Sequence, residues 1–307
     1  MGSDEGLNKA YTILEQGDVS NAKKTLMGVL EYDLDNKEVK FAVWCCSFWS
    51  DFIRLLPTLD AYEQGEGLIS HWKQFLHALR RQKEIFERTL VAVQIGVFSL
   101  ALQNFLQLDE EQLPVQKAEI QSRIGMCYKK LGKYDIALAK LMEANEMQPQ
   151  TAAILAEVAD CYALCGEDKK AKVLFREAFF IDAQKIDIDF LDSELICCLI
   201  RQVQEHGYTG AALQEWIPVY GILYGIFNIR RELRSHEVGH LKQAIYTCEK
   251  EIRDPSCDTA TMTPRLINMY FWLIDHYVRA GNSSDKINDI LLCIKILDRN
   301  IYDLYVK

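Results

Sequence analysis

The stretch AEIQSRIGMCYKKLGKYDIALAKLMEANEMQPQ, Ala118 to Gln150, is followed almost at once by AAILAEVADCYALCGEDKKAKVLFREAFFIDAQ, Ala152 to Gln184. Laid over one another without a gap, the two carry the same residue types in the same order. Gly125 meets Ala159, Cys127 meets Cys161, Tyr128 meets Tyr162 and Gly132 meets Gly166. Ala137 then meets Ala171, Leu141 meets Phe175 and Ala144 meets Ala178, every pair being 34 residues apart. A fixed period of this length marks a supersecondary unit that buries its apolar face on its neighbours. Each unit reads as two amphipathic helices of about a dozen residues. Gly132 or Gly166 joins them, because glycine takes a positive φ at little cost. Small residues at Gly125/Ala159 and Ala137/Ala171 let the two helices approach, while Tyr128/Tyr162 and Leu141/Phe175 fill the space between. Pro149 follows the second helix, where a stop is needed.

That order of small residue, Tyr, Gly, Ala, large apolar residue, Ala and Pro resembles the tetratricopeptide repeat family. The first copy has Gln121 where the family usually has Trp, and the second has Ala183 at the closing Pro. Weaker copies flank the pair. YTILEQGDVSNAKKTLMGVLEYD offers Gly17, Ala22 and Leu26, and LIRQVQEHGYTGAALQEW offers Gly207, Ala212 and Trp216. LIDHYVRAGNSSDKINDILLCIKILD offers Tyr277 and Gly281, 74 residues beyond Gly207, an interval that predicts an extra pair of helices between them. The expected fold is all-α, an α-α superhelix of stacked antiparallel helical hairpins. Divergent hairpins are expected over 1–110 and 186–307, with the two clear repeats over 111–185 between them.

Composition agrees. The 307 residues are 49% hydrophobic and 26% charged, with only 6 prolines and 16 glycines to interrupt helices. A net charge of −9 and a pI near 5.3 argue against nonspecific attraction to nucleic acid. The basic patches Arg80-Arg81-Gln82-Lys83 and Arg230-Arg231-Glu232-Leu233-Arg234 read as solvated helix faces. Ten cysteines, most within apolar helical runs, fit buried reduced thiols and a cytoplasmic location. Met1 to Asp18 carries no basic segment followed by an apolar core, and Gly6 stands where myristoylation at Gly2 needs Ser or Thr, so neither signal is expected.

Two apolar stretches stand out. TLVAVQIGVFSLALQNFLQL, Thr89 to Leu108, is long enough to span a bilayer, yet Gln94, Ser99, Gln103, Asn104 and Gln107 suit a buried or interface helix and no integral membrane segment is expected. In KEVKFAVWCCSFWSDFIRLL, Lys37 to Leu56, the residues Phe41, Trp44, Phe48 and Phe52 form one aromatic stripe. It reads either as core packing against the next helix or as an exposed patch for a partner or a second copy of the chain. Trp49, off the stripe, is the residue to show which.

SHEVGHL, Ser235 to Leu241, matches the H-E-x-x-H pattern of a zinc metallopeptidase, with His236 and His240 as ligands and Glu237 as general base. A catalytic zinc needs a third protein ligand. Glu249 and Glu251 share the same continuous helix, where a rise of about 1.5 Å per residue carries them out of reach. Arg234 and Lys242 flank the motif closely. The two histidines therefore read as polar residues on a partly exposed helix face. Cys161 and Cys165, one turn apart, likewise read as structural, because Cys127 and Cys161 occupy equivalent small buried positions. Asp187, Asp189 and Asp192 form a short acidic loop. With no phosphate-binding loop or nucleophile elbow present, no catalytic residue, metal or cofactor is expected.

The resemblance implies protein–protein interaction: a partner peptide or helix held on a concave face lined by the first helix of each repeat. Those positions are Glu119, Ser122, Met126, Lys129 and Lys130, then Ala156, Asp160 and Ala163. One subclass of the family clamps a C-terminal carboxylate with Lys, Asn and Arg. Its Asn positions fall here on Met126 and Asp160, and Asp160 would repel a carboxylate. The competing expectation is a self-associating homo-oligomer seamed along the aromatic stripe or the 89–108 helix.

Overall fold

The computed structural model describes residues 3–108, 114–229, 233–281 and 284–306. Gly2, the basic run Arg230-Arg231-Glu232 and the expected 110/111 boundary lie outside the described residues. Among those described there are helices, turns and short 3-10 segments, and no strand. The chain is all-α, as expected, and consecutive helices pack as adjacent pairs.

Two compact units divide the chain, Met1–Gln148 and Pro149–Lys307. The first holds α1 (Ser3–Glu15), α2 (Val19–Leu30), α3 (Lys37–Leu55), α4 (Ala61–Leu79), α5 (Glu87–Leu106), α6 (Pro114–Lys130) and α7 (Tyr134–Met147). The second holds α8 (Ala152–Leu164), α9 (Asp168–Asp182), α10 (Glu194–Glu205), α11 (Gly210–Leu223), α12 (Ser235–Glu251), α13 (Thr259–Arg279), α14 (Ser284–Leu297) and α15 (Arg299–Val306). The division falls between the two clear repeats, not on either side of them. Local chemistry accounts for the break there: Pro149 cannot continue α7, and Gln150 takes a left-handed φ of 61° before α8 starts.

The repeat is visible as one turn built twice. At the end of α6, Gly132 N–H donates to Lys129 O (2.9 Å) and Lys133 N–H to Tyr128 O (2.9 Å). At the end of α8, Gly166 N–H donates to Ala163 O (3.0 Å) and Glu167 N–H to Tyr162 O (2.8 Å). This pair of bonds, around a glycine at φ 74° or 80°, satisfies carbonyls that the helix end would otherwise orphan. The same pair closes α1, through Gly17 to Leu14 (2.8 Å) and Asp18 to Ile13 (3.2 Å). Gly207 and Gly281 also take positive φ at the ends of α10 and α13. Between α6 and α7, a Cβ added at Gly125 would meet Leu141 Cγ at 2.6 Å and Ala137 O at 3.1 Å, so the helices touch where the small residues were expected.

Each unit also contains a helix outside the two-helix rhythm. In the first, α1 packs on α5 as well as on α2, and α3 packs on α2 and α5. In the second, the interval between Gly207 and Gly281 holds α11, α12 and α13, a single additional helix in place of the expected pair. The cause is the length of α13: its 21 residues pack on α11, α12 and α14, so one helix serves as partner to several neighbours.

The aromatic stripe of α3 is core packing against the next helix. Trp44 stacks on Phe75 of α4 at 5.7 Å between ring centres, and Phe52 stacks on His71 at 4.4 Å. Trp49 is fully buried against Trp72 and Phe75. Among the described residues α5 is long and apolar enough to cross a membrane. Here it packs on α1, α4 and α6, burying Ala92, Val93, Phe98, Ala101 and Phe105. The stripe is thus engaged inside unit 1, while α5 is half buried and leaves Val91 and Leu106 exposed.

Candidate functional site: a polar cleft between α9, α11 and α13

Most of the expected groove positions do not face solvent. Met126, Lys129, Lys130, Ala156 and Asp160 are buried, Ser122 and Ala163 are half-buried, and only Glu119 is exposed. For the three α6 residues the cause is crowding. Helix α6 lies against both α5 and α7, and Gln94 Nε2 of α5 donates to Lys130 O (2.7 Å). Glu119 accepts a hydrogen bond from Tyr62 Oη (3.0 Å), and Arg123 pairs with both oxygens of Glu66 at 2.6 and 3.0 Å. This face of α6 is stitched to α4 rather than open. Asp160 is a structural cap: its two oxygens accept the N–H groups of Asp192 and Ser193, each at 2.8 Å, at the start of α10. An anion there satisfies orphan donors and complements the helix dipole.

The more promising surface lies within unit 2, where α9 and α13 run past each other beside α11. Phe180 packs on Trp272 at 4.4 Å, and Arg176 lies over the Trp272 ring at 4.6 Å while pairing with Asp275 and donating to Ile229 O (3.1 Å). Beyond this plug the helices leave a cleft of about 390 Å³ lined by residues 179–184, Glu215, Arg265, Asn268 and Met269. Its volume falls within the roughly 300–1,000 Å³ usual for ligand pockets.

The polar groups in the cleft come from apolar helical runs. Glu215 sits in LQEWIPV of α11 and is only 3% exposed; its Oε1 accepts from Gln184 Nε2 (3.0 Å) and from Arg265, whose Nε lies at 3.2 Å. The Glu215 hydrogen bond holds the Arg265 guanidinium above its ordinary pKa, so Arg265 stays cationic. Asp182, at the C-terminal end of α9, accepts Gln184 N–H (3.0 Å). Asn268, in LINMYFW of α13, is 5% exposed and its Oδ1 has no hydrogen-bond partner among the described residues. No motif points to any of these residues. The available signal was a polar residue in the core phase of an otherwise apolar helix, which has to be partnered by something.

His236 and His240 are exposed on the first turns of α12. Glu237, placed as general base by the motif, instead accepts Arg234 N–H (2.7 Å) and caps the start of that helix. Among the described residues no three His, Cys, Asp or Glu side chains gather closely enough to hold a metal ion. Cys127 and Cys161 are fully buried at their equivalent positions, and burial pushes the Cys127 thiol well above its ordinary pKa. None of the ten cysteines forms a disulfide. No protein-family model matches the chain, and no curated protein matches it.

Proposed function

We propose that this chain is a non-enzymatic interaction scaffold of the tetratricopeptide kind, which holds a peptide or helix of a partner protein. The observation that carries the reading is the α9/α11/α13 cleft: concave, lined by rings and by charged groups, and including a buried carboxamide acceptor that no described residue of the chain satisfies. The binding face is assigned to this cleft, because the first-helix positions that the resemblance implied are mostly committed to internal packing. Glu237 spent on helix capping, and exposed histidines with no third ligand among the described residues, favour binding over peptidase chemistry. Ten cysteines, many of them buried in apolar helices, fit a reducing compartment such as the cytoplasm.

Ile181, 39% exposed at the cleft rim, provides the test. A benzophenone amino acid placed there should photo-crosslink a partner polypeptide in the native cell, whereas the same group at exposed Lys24 in unit 1 should not. Equal capture from both positions, or none from Ile181, overturns the reading.

A further inference from the structure

Around the buried, unpartnered acceptor of Asn268 the charges are unequal. Asp182 and Glu215 contribute two negative charges to the cleft lining, and Arg265 contributes one positive charge. Arg265 pairs with Glu215 and is also attracted by Asp182, so one cation faces two carboxylates and the lining keeps one negative charge in surplus. Phe179, Phe180 and Met269 supply apolar surface beside these groups. A buried acceptor without a donor is unfavourable, and so is a surplus negative charge beside a low-dielectric wall. One kind of ligand relieves both: a cation that carries N–H donors. An anion would meet the surplus charge, and a neutral donor would leave it standing.

We propose that the cleft binds a cationic nitrogen head, the guanidinium or ammonium of a basic side chain, between Asn268 Oδ1 and the Asp182 carboxylate. The aromatic and thioether groups line the aliphatic stem and the head, in the way cations settle against ring faces. The inference rests on the peptide-binding reading for the source of that side chain, but its chemistry is tested separately.

Three probes read it by calorimetry: the blocked peptide Ala-Arg-Ala, its citrulline counterpart of equal shape and no charge, and butylguanidinium as a free cation. The arginine peptide should bind saturably, with the citrulline peptide weaker by about tenfold or more, the usual worth of a charge-assisted hydrogen bond. Asn268→Leu should weaken the arginine peptide about tenfold. Asp182→Asn, at a half-buried rim position where folding is not at stake, should narrow the gap between arginine and citrulline. Tighter binding of the peptide than of butylguanidinium assigns the head to a polypeptide, and equal binding assigns it to a small amine; both support a cation site. Equal affinity for citrulline overturns the proposal, as does absence of binding by both cations. So does Asn268→Leu if it raises the melting temperature and leaves binding unchanged. Crosslinking at Ile181 without charge discrimination sinks only the cation, and discrimination without crosslinking sinks only the partner protein.

Discussion

Unit 1 is built round one cluster of rings, whereas unit 2 buries carboxylates among its rings. In the first, Trp49, Trp72, Phe75 and Phe98 form one fully or nearly fully buried cluster, with ring centres 5.3–6.3 Å apart. In the second, all four buried carboxylates among the described residues occur: Glu157, Asp160, Glu215 and Asp275. The two interiors answer to different rules. An aromatic core is specified by volume, so its tolerance follows how well a new side chain refills the space. A charged core is specified by partnering, so deleting one member costs far more than deleting both. What the units share is the hairpin itself, closed by the same glycine turn and the same small residues.

The largest expected effect probes that shared part. Ala137 of unit 1 and Ala171 of unit 2 are both fully buried at equivalent repeat positions. Ala171→Arg and Ala137→Arg should each cost about 4 kcal/mol or more, because an unpaired cation is driven into a close-packed interior. The two should respond alike in urea unfolding despite their different surroundings. A melting temperature that scarcely moved for either would break the repeat phase on which the hairpins are aligned.

The next effect separates the units. Arg176→Met leaves the Asp275 carboxylate buried without its guanidinium and should cost about 3 kcal/mol. Adding Asp275→Leu should recover most of that loss, since an apolar pair of similar volume removes the stranded charge. If the double variant were as unstable as the sum of its parts, unit 2 would be obeying the volume rule of unit 1 and the contrast would fail.

The legible part of the fold is whatever recurs. The residue pattern of the repeat marks Gly17, Gly132, Gly166, Gly207 and Gly281 as turn positions, and all five take positive φ. Backbone conformation there is dictated by one residue type, so one letter suffices. That α3 and α12 are helices is legible, but that they stand outside the rhythm is not, because a helix that departs from it still carries an ordinary amphipathic pattern. The site is the least legible. Positions 126 and 160 are equivalent in the repeat, yet one holds a buried Met and the other a buried Asp that caps α10. What an exposed position in a repeat faces depends on the neighbour, and the neighbour is not written in the repeat. Asn268 and Glu215 announce themselves only as polar residues in apolar runs, a sign of partnering that does not name the partner.

The smallest effect tests whether the ring cluster of unit 1 carries an ionisation of its own. His71 of α4 lies face to face with Phe52 at 4.4 Å and within 4.8 Å of the Phe48 and Trp49 rings, with Nε2 3.5 Å from Phe48 O. Burial among these rings lowers its pKa below the ordinary 6.5, outweighing the hydrogen bonds to Phe48 O and Gln74. The folded state then binds fewer protons than the unfolded state as pH falls through and below 6.5. The stability held above that value is therefore lost progressively until the folded histidine itself protonates. Urea midpoints for unit 1 should fall between pH 7.5 and pH 5, and His71→Leu should flatten the fall without altering the midpoint's response at higher pH. An identical pH profile in the variant would mean that the acid sensitivity of unit 1 comes from elsewhere, and that its aromatic core carries no buried ionisation of its own.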